Sequence, residues 1–375
     1  MLKIGFDAKR LFNNFTGLGN YSRTVVQGLN EFFPENTYHL YTPSIQYKPD
    51  TAQFLETPYE ITKPKWGSKN LWRTALCTKQ IKKQKLDIYH GLSHELPFGI
   101  KKTNTKTLVT IHDLIYKTYP NDFKWLDRTI YDYKFRYACE YADKIIAVSE
   151  STKRDLEKLY QIPSEKIEVI YQTCQPNFKI LLSAEQINSI LSLYNLPQKY
   201  LLYVGSLIER KNLLGITKAI QLIKDKIDTP LVVVGKGKEY QEKVKQYIVK
   251  NKLEKRVIFT SEISFLHLPA IYQNAQVFIY PSYYEGFGIP IIESLWSKTP
   301  VITSNVSSLP EAAGGGAFYC NPMDETTIAE GILKILNDEN YSKQLISEGF
   351  KHVQQFESKV ISTQLMNAYQ SVLSV

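Results

Sequence analysis

Two glutamates stand eight residues apart in the segment YYEGFGIPIIESLWS, where Glu285 and Glu293 flank a glycine-phenylalanine-glycine turn and a proline. The apolar run QVFIYPS precedes them, and Pro290 suits the first turn of a helix. We therefore expect Glu285 in a loop and Glu293 one turn inside the helix. Two carboxylates so placed can bind vicinal hydroxyl groups, while the loop amides and the helix N-terminus meet phosphate oxygens. These amides belong to Gly286, Phe287, Gly288 and Ile289. Such chemistry suits a nucleotide-sugar.

Metal ligation is the other common use of two neighbouring carboxylates. The sequence has no Asp-x-Asp pair, but Arg210 and Lys211 follow the apolar run YLLYVGS at the start of the expected helix NLLGITKAIQLI. A guanidinium and an ammonium beside a helix N-terminus suit a diphosphate. We therefore expect these cations to neutralise the phosphates, with no metal and no other cofactor. The alternative is an ordinary solvated basic loop.

Further candidate residues lie in the first half of the chain. Gly17 and Gly19 in NNFTGLGNYSRTVVQGL would let backbone amides approach a ligand, although Ser22 stands where a dinucleotide fingerprint has its third glycine. His112 ends the apolar run TLVTIHD, where it could hydrogen-bond a substrate hydroxyl or stabilise a developing charge. The structural alternatives are an ordinary turn for the two glycines and a cap on a backbone carbonyl for His112.

Short apolar runs alternate with helix-length segments along the whole chain. They are LKIGFD, DIYHG, TLVTIHD and KIIAVS in the first half, and YLLYVGS, LVVVG, RVIFT, QVFIYPS and PVITS in the second. Such runs suit parallel strands covered by helices on both faces, and ligands of such sheets collect outside the carboxyl ends of the strands. We expect the α/β class, with two doubly wound Rossmann-like domains facing each other across a cleft. We expect the linker between them to be YQTCQPNF, residues 171–178, with the domain boundary at about residue 175.

Length and composition agree with two domains, because 375 residues exceed the size of one usual core. The net charge is +9, and residues 1–175 hold 26 basic against 19 acidic side chains, whereas 176–375 hold 20 against 18. Four cysteines without paired spacing are expected to be reduced thiols. The apolar start is too short for a secretory signal, so we expect a cytoplasmic protein.

The basic excess is concentrated between residues 63 and 102, and the acidic residues there are Asp87 and Glu95. The basic residues are Lys63, Lys65, Lys69, Arg73, Lys79, Lys82, Lys83, Lys85, Lys101 and Lys102, interleaved with Trp66, Leu71, Trp72, Ala75, Leu76 and Ile81. This pattern predicts an amphipathic helix that lies on an anionic membrane. The alternative is a surface helix packed on its own sheet. Nucleic acid is not an expected partner, because the chain has no recognisable nucleic-acid module.

The segments TGLGNY, TIHD, YVGSLIERKN and EGFGIPIIE together resemble the GT-B retaining glycosyltransferases of family GT4, as does PVITSNVSSLPEAAGG. DAKRLFNNFTGLGNYS, DIYHGLSHELP and VTIHDLIYKTYP resemble the bacterial O-antigen and capsule mannosyltransferases in particular. The resemblance implies an acceptor-binding domain over 1–175, a donor-binding domain over 176–355, and a last helix over about 356–375 that crosses back onto the first domain.

The implied activity is the transfer of a hexose to a hydroxyl of a growing lipid-linked glycan. The hexose expected first is mannose, with GDP-mannose as the donor. The protein would then work in the cytoplasm, or peripherally on the inner face of the plasma membrane. A UDP-sugar donor is the alternative, and a GT-B nucleotide-sugar epimerase or a non-catalytic nucleotide-sugar-binding partner are rivals of another class.

The resemblance also implies roles for single residues. Glu285 would bind the donor sugar and Glu293 the ribose, while Arg210 and Lys211 would bind the leaving diphosphate. Many members carry a further arginine where this sequence has Ser206, so the diphosphate would depend on these two cations. In the N-terminal domain, Gly17 and Gly19 would lie on the phosphate side and His112 near the reacting carbon.

Overall fold

The computed structural model describes residues 1–56, 58–65, 67–260 and 263–374. The chain divides into two compact units. Unit 1 comprises Met1–Thr173 together with Phe356–Val375, and unit 2 comprises Cys174–Gln355. Each unit contains a parallel sheet with helices packed on it, as expected for strands buried on both faces.

The sheet of unit 1 has seven strands in the order β3-β2-β1-β4-β5-β6-β7, and all its pairings are parallel. The strands are β1 Lys3–Asp7, β2 Thr37–Tyr41, β3 Tyr59–Thr62, β4 Ile88–Gly91, β5 Lys106–Ile111, β6 Lys144–Ala147 and β7 Ile167–Val169. In register, Ile4 of β1 lies between Tyr38 of β2 and Ile88 of β4. The strand order reverses direction between β1 and β4, which makes this the switch point of unit 1.

The sheet of unit 2 has six parallel strands in the order β10-β9-β8-β11-β12-β13. The strands are β8 Leu201–Val204, β9 Leu231–Val234, β10 Val257–Thr260, β11 Val277–Tyr280, β12 Val301–Ser304 and β13 Ala317–Cys320. Its order matches that of the first six strands of unit 1, and it is the dinucleotide-binding arrangement. The switch point of unit 2 therefore lies between β8 and β11.

The helices connect these strands and cover the sheets. In unit 1 they are α1 Lys9–Asn13, α2 Gly17–Phe32, α3 Pro49–Ala52, α4 Lys69–Leu71, α5 Thr78–Gln84, α6 Ile115–Thr118, α7 Trp125–Tyr141 and α8 Glu150–Tyr160. In unit 2 they are α9 Ala184–Leu193, α10 Leu213–Ile223, α11 Glu239–Lys250, α12 Leu268–Asn274, α13 Ile289–Trp296, α14 Leu309–Ala313, α15 Glu325–Asn337 and α16 Glu339–Val353. The last helix, α17 Ser358–Leu373, belongs to unit 1 again. Helix α17 packs on α2, and its buried Met366 and Tyr369 belong to the core of unit 1.

Four strands have no counterpart among the apolar runs found in the sequence: β2, β3, β7 and β13. β3 and β7 are short edge strands, and β3 is at most half-buried, so neither needs a continuous apolar run. β2 is buried but consists of Thr, Tyr, His and Leu. Because several of its buried side chains are polar, β2 could not be recognised from a run of apolar residues.

The stretch from 63 to 102 is not the single amphipathic helix that its pattern predicted. It contains α4, a π-helical turn over Trp72–Leu76, α5 and the strand β4. Trp72 and Ile81 are buried in the core of unit 1, because the sheet needs apolar side chains from this segment. Leu71 and Leu76 stay exposed, and Trp66 lies outside the described residues. No helix among the described residues is long and apolar enough to cross a membrane.

Candidate functional site

The loop after β8 carries Arg210 and Lys211 to the switch point of unit 2. A short 3₁₀ turn over Glu209–Lys211 leads into α10 through Asn212, whose backbone has a left-handed conformation with φ 56°. The Asn212 side chain accepts from the amide of Gly215 at 3.1 Å and donates to the carbonyl of Pro281 at 3.2 Å. These bonds tie the cationic loop both to its own helix and to the end of the neighbouring strand β11.

Glu285 lies in the loop after β11 and binds both cations. Its Oε1 is 2.9 Å from Nη1 of Arg210 and 3.6 Å from Nζ of Lys211, and it also accepts from the Ser282 hydroxyl at 3.0 Å. Burial alone would raise the pKa of Glu285, but Lys211 and Arg210 together hold that pKa below its usual range. Glu285 is therefore ionised at neutral pH.

The hydroxyl of Tyr280 joins Lys211 and Glu285. Nζ of Lys211 donates to this hydroxyl at 2.5 Å, and the hydroxyl donates to Oε1 of Glu285 at 2.9 Å. Nζ also lies 4.9 Å from the centre of the Tyr280 ring, within the range of a cation–π contact. Tyr280 is almost fully buried, so its ring gives the ammonium group a fixed support.

The loop from Glu285 to the start of α13 is fixed by serine hydroxyls. The amide of Glu285 donates to Oγ of Ser307 at 3.1 Å, and Oγ of Ser308 donates to the carbonyls of Glu285 at 2.9 Å and Phe287 at 2.8 Å. Gly288 has φ 128°, which L side chains rarely adopt, so a glycine is required there. The segment Gly286–Ile289 therefore holds a defined shape beside the charged cluster.

Glu293 occupies a different environment although it lies in the same unit. It is buried in α13, and Oε2 accepts from the hydroxyl of Tyr272 at 3.1 Å. Burial raises the pKa of Glu293 to about 8, and the bond from Tyr272 and the charge of Lys211 offset only part of that rise. Glu293 is therefore mainly protonated at neutral pH, while Glu285 is ionised. A protonated carboxyl can both donate to and accept from a ligand hydroxyl.

Gly17 and Gly19 begin helix α2 of unit 1, but their surroundings differ. A Cβ on Gly17 would meet none of the described atoms within 4 Å, whereas one on Gly19 would lie 1.8 Å from the carbonyl oxygen of Asn14. The amide of Gly19 donates to Thr16 and to the Asn14 side chain, both at 3.0 Å. Gly19 thus serves the packing of the turn, and Gly17 leaves the helix N-terminus open.

His112 follows β5 and makes hydrogen bonds inside unit 1. Its Nε2 is 2.9 Å from the carbonyl oxygen of Leu92, and its Nδ1 is 3.5 Å from Nε2 of Gln172. The carbonyl fixes the tautomer, since only Nε2–H can donate to it. Burial lowers the pKa of His112 to about 3, with a smaller contribution from the neighbouring His94, so the ring is neutral. This geometry is that of the structural alternative, a cap on a backbone carbonyl. Its contact with a sugar stays a prediction.

The structure thus brings together Arg210, Lys211, Glu285 and the segment Gly286–Ile289 at one switch point. Glu293 lies near enough to act electrostatically on Lys211. The three candidates of the first half, Gly17, Gly19 and His112, all belong to unit 1. Tyr21, on the helix that begins at Gly17, packs edge-on against His112 with ring centres 4.5 Å apart.

Sequence reasoning missed the residues that hold this cluster in place. Tyr280 and Ser282 both bind Glu285, and their spacing of two at the end of a strand could have placed them on one face. Tyr272 and Asn212 left no such signal, since their partners lie far away along the chain. Within the described part of the chain, no group of three or more potential metal ligands comes together.

Comparisons with known proteins agree with this architecture. Residues 15–175 match the family described as Glycosyltransferase Family 4, and residues 190–352 match the family described as Glycosyl transferases group 1. The O-antigen chain mannosyltransferase B of Escherichia coli is 27% identical, over 98% of this chain and 99% of the relative.

Solved glycosyltransferase structures share the fold over nearly the full length. The glycosyltransferase of Rickettsia africae ESF-5 aligns with a TM-score of 0.77 at 18% identity, covering 99% of this chain and 98% of the other. Anabaena HepE, solved in complex with UDP and glucose, aligns with a TM-score of 0.76 at 16% identity, covering 99% of this chain and 100% of the other. At these identities the likeness concerns the fold alone.

Proposed function

The chain belongs to the family 4 glycosyltransferases of the GT-B fold, and from this premise we propose that it transfers mannose from GDP-mannose to a hydroxyl of a growing, lipid-linked surface glycan. The likeness to an O-antigen chain mannosyltransferase along nearly the whole chain supports the choice of mannose. A UDP-sugar is the alternative donor. The proposal covers an acceptor glycan that belongs to an O-antigen as well as one that belongs to a capsule.

The observation that carries the proposal is the cluster of Arg210, Lys211 and Glu285. Two cations, Arg210 and Lys211, bind the one carboxylate of Glu285 at the carboxyl edge of the sheet. Breaking the bond between a sugar C1 and a diphosphate builds negative charge on the diphosphate. Preorganised cations at that point stabilise the transition state more than the ground state. Arg210 and Lys211 would supply this stabilisation, and no metal ion takes part.

The two glutamates would divide the recognition of the donor. Ionised Glu285, fixed by Tyr280 and Ser282, accepts hydrogen bonds from the sugar hydroxyls. Protonated Glu293 exchanges hydrogen bonds with the vicinal hydroxyls of the ribose. The amides of Gly286–Ile289 and the N-terminus of α13 then meet phosphate oxygens.

The transfer would retain the anomeric configuration. The acceptor oxygen attacks C1 from the face that the diphosphate leaves, so the new C1–O bond forms as the C1–phosphate bond breaks. The acceptor proton passes to a phosphate oxygen of the leaving group. A time course by NMR that shows an inverted anomeric centre in the product would contradict this step and leave the donor site untouched.

Calorimetric titration of the purified chain with GDP, UDP, GDP-mannose and common UDP-sugars tests the donor site. We expect selective binding of the guanine nucleotides, and loss of that binding in Lys211→Ala and Glu293→Ala. Lys218→Ala is the matched control, because this lysine is 40% exposed and 3.6 Å from Glu325, outside the cluster. Binding of UDP-sugars without binding of the guanine nucleotides would indicate that the donor is a UDP-sugar.

The same preparation distinguishes the rival activities. Formation of an altered sugar nucleotide without any acceptor would indicate an epimerase. Nucleotide binding without turnover in the presence of lipid-linked acceptors would indicate a non-catalytic binding partner. Release of GDP that depends on the acceptor is the result expected of the transferase.

A further inference from the structure

Three buried histidines of unit 1 lie close together at the carboxyl ends of β4 and β5. They are His90, His94 and His112, and each is at most 7% exposed. The ring of His94 lies 5.1 Å from the ring of His112, with the ring planes at 61°. Buried polar side chains normally have hydrogen-bond partners, so the partners of these rings indicate what each ring does.

Two of the three rings have both nitrogens hydrogen-bonded inside unit 1. Nδ1 of His90 is 2.7 Å from the hydroxyl oxygen of Tyr369, and Nε2 is 2.8 Å from the hydroxyl oxygen of Thr110. His112 likewise uses both ring nitrogens for partners within this unit. For these two histidines the fold itself supplies every partner that a neutral ring can use.

His94 differs from the other two histidines. Its Nδ1 is buried and has no hydrogen-bond partner among the described residues, and the same is true of Oγ of the preceding Ser93. A buried polar atom without a partner is destabilising, because it has lost its bonds to water and gained none in exchange. Two such atoms on neighbouring residues are the pattern of a site that gains its partners from a ligand.

The backbone of His94 is strained as well. Its φ of 62° lies in the left-handed region, which residues with a side chain adopt only rarely. The amide of His94 donates to the carbonyl of Thr110 at 2.9 Å, and a Cβ on Gly91 would lie 2.1 Å from the carbonyl oxygen of Glu95. The loop from Gly91 to Glu95 is therefore folded tightly, and its backbone is fixed. Strained residues of this kind cluster at functional sites.

The ring of His94 is held flat and uncharged. It stacks on Phe135 with ring centres 4.3 Å apart and planes at 2°. Burial lowers the pKa of His94 to about 3, with a smaller contribution from Arg10 of α1, so the ring is neutral. A neutral imidazole donates one hydrogen bond and accepts another, and a serine hydroxyl also does both. A sugar hydroxyl has the same double capacity, so the pair suits an uncharged sugar better than an anion.

We infer that Ser93 and His94 bind a hydroxyl group of the acceptor sugar and help to determine which acceptor is used. Both residues follow β4, one of the two strands at the switch point of unit 1, where ligands of such sheets bind. Because the loop backbone is fixed, rotation of these two side chains is the movement that brings Oγ and Nδ1 to the sugar. The inference rests on the proposed function, to which it adds residues that recognise the acceptor.

Steady-state kinetics with GDP-mannose and octyl α-mannoside as the acceptor test the inference. His94→Phe keeps a flat ring against Phe135 but removes both nitrogens, and Ser93→Ala removes the hydroxyl. We expect each change to raise KM for the acceptor about five- to tenfold, as for the loss of a hydrogen bond, and to leave KM for GDP-mannose unchanged. His94→Asn keeps a polar atom near the place of Nδ1 and tolerates the left-handed backbone, so its acceptor KM should stay within about twofold of the wild type.

Two further histidine variants separate recognition of the acceptor from a structural role. His39→Phe is the matched control for KM, because His39 is also buried in unit 1 but lies in the middle of β2, and its acceptor KM should not change. Thermal melting gives the second readout. His94→Phe should melt at least as high as the wild type, because an unpartnered nitrogen is removed, whereas His90→Phe should melt lower, because two hydrogen bonds are broken. A residue that only fills the core would not combine full stability with a weaker acceptor.

Failure of the inference and failure of the proposed function give different results. If the wild type transfers mannose and the folded variants His94→Phe and Ser93→Ala keep its acceptor KM, or His39→Phe raises KM equally, the inference is overturned and the function stands. If the wild type transfers no mannose, the proposed function fails, and titration of the chain with octyl α-mannoside by NMR decides the inference. We then expect binding by the wild type and weaker binding by His94→Phe. Equal binding by the two proteins, or no binding by the wild type, would overturn the inference.

Discussion

The two switch points of the molecule contain similar charged groups in opposite arrangements. In unit 1, Asp7 ends β1 and Glu95 follows β4, and Arg73 binds both, with Nε 3.0 Å from Asp7 and Nη1 2.9 Å from Glu95. Lys134 adds a second bond to Glu95 at 3.0 Å. Two carboxylates thus share one guanidinium, and Lys9 also acts electrostatically on Arg73, Asp7 and Glu95. In unit 2 the sharing is reversed, because Arg210 and Lys211 both bind the carboxylate of Glu285.

This difference separates a structural network from a binding site. Burial alone would raise the pKa of Glu95, but Arg73 and Lys134 lower it to about 2, so the Glu95 carboxylate is ionised. In unit 2, Glu293 stays protonated, and Glu285 is the ionised carboxylate that Arg210 and Lys211 share. A guanidinium bound by two carboxylates needs no further anion, whereas two cations that share one carboxylate gain from an anion. The predictions below test this contrast.

The largest expected effect is the loss of Arg73. Arg73→Ala would leave Asp7 and Glu95 buried without their main partner, which typically costs about 3–5 kcal/mol. Urea unfolding should show that loss in the free energy of unfolding. Lys101→Ala is the control, since its pair with Asp143 is 45% exposed on the lysine side and should contribute less than about 1 kcal/mol. A loss in Arg73→Ala no larger than in the control would mean that the network is not structural.

Lys211→Ala tests the cluster of unit 2 directly. Removal of one preorganised donor to a developing anion typically lowers turnover by about 10²–10³-fold. We expect a fall of that size in product formation with donor and acceptor, with the fold intact by circular dichroism. Lys218→Ala should keep wild-type turnover. Normal turnover in Lys211→Ala would remove this lysine from the reaction.

Glu293→Gln should stabilise the protein in a way that depends on pH. The pKa of Glu293 is about 8 in the folded chain, against an ordinary 4.5. Between these values the unfolded chain releases a proton that the folded chain keeps, so wild-type stability falls by about 1.4 kcal/mol per pH unit as pH rises. Glutamine removes this dependence.

Thermal melting of both proteins at about pH 5 and about pH 8 measures this effect. Near pH 5 the gap between the two midpoints should be small, because this pH is only about half a unit above the ordinary pKa and most of the pH-dependent loss of stability lies at higher pH. Near pH 8 the variant should melt higher. A gap of equal size at both pH values would show that Glu293 is already ionised in the folded chain.

The smallest expected effect concerns Tyr280. Tyr280→Phe keeps the ring but removes the hydroxyl between Lys211 and Glu285, a loss of about 1–1.5 kcal/mol, or roughly tenfold in turnover. Tyr200→Phe removes a buried hydroxyl that donates to the carbonyl of Ile271, outside the cluster, and turnover should not change. Equal turnover in the two variants would show that Tyr280 merely fills space.

Much of the architecture could be predicted because nine of the thirteen strands among the described residues coincide with continuous apolar runs, as is usual for buried parallel strands. The loops after two such runs bring Arg210, Lys211 and Glu285 to one edge, and the structure places both cations within 4 Å of the Glu285 carboxylate. The opposite protonation of Glu285 and Glu293 could not be predicted. It depends on the burial of Glu293 in α13, which raises the pKa of Glu293 despite the opposing bond from Tyr272, 21 residues away.

The ion pair of Arg73 with Asp7 was equally hidden, since 66 residues separate the partners. In the sequence, Arg73 looked like one more cation of a basic surface stretch. Only the packing of the π-helical turn against the end of β1 shows that its charge is neutralised inside unit 1.

The return of α17 to unit 1 has a consequence for the order of events on the ribosome. Tyr369 reaches from this helix to Nδ1 of His90, 2.7 Å away, and α17 supplies several apolar residues to the first core. Unit 2 is complete once residue 355 has left the exit tunnel, while unit 1 still lacks its final helix. Domains usually mature from the N-terminus during synthesis. Here the domain that is translated first is the last to close.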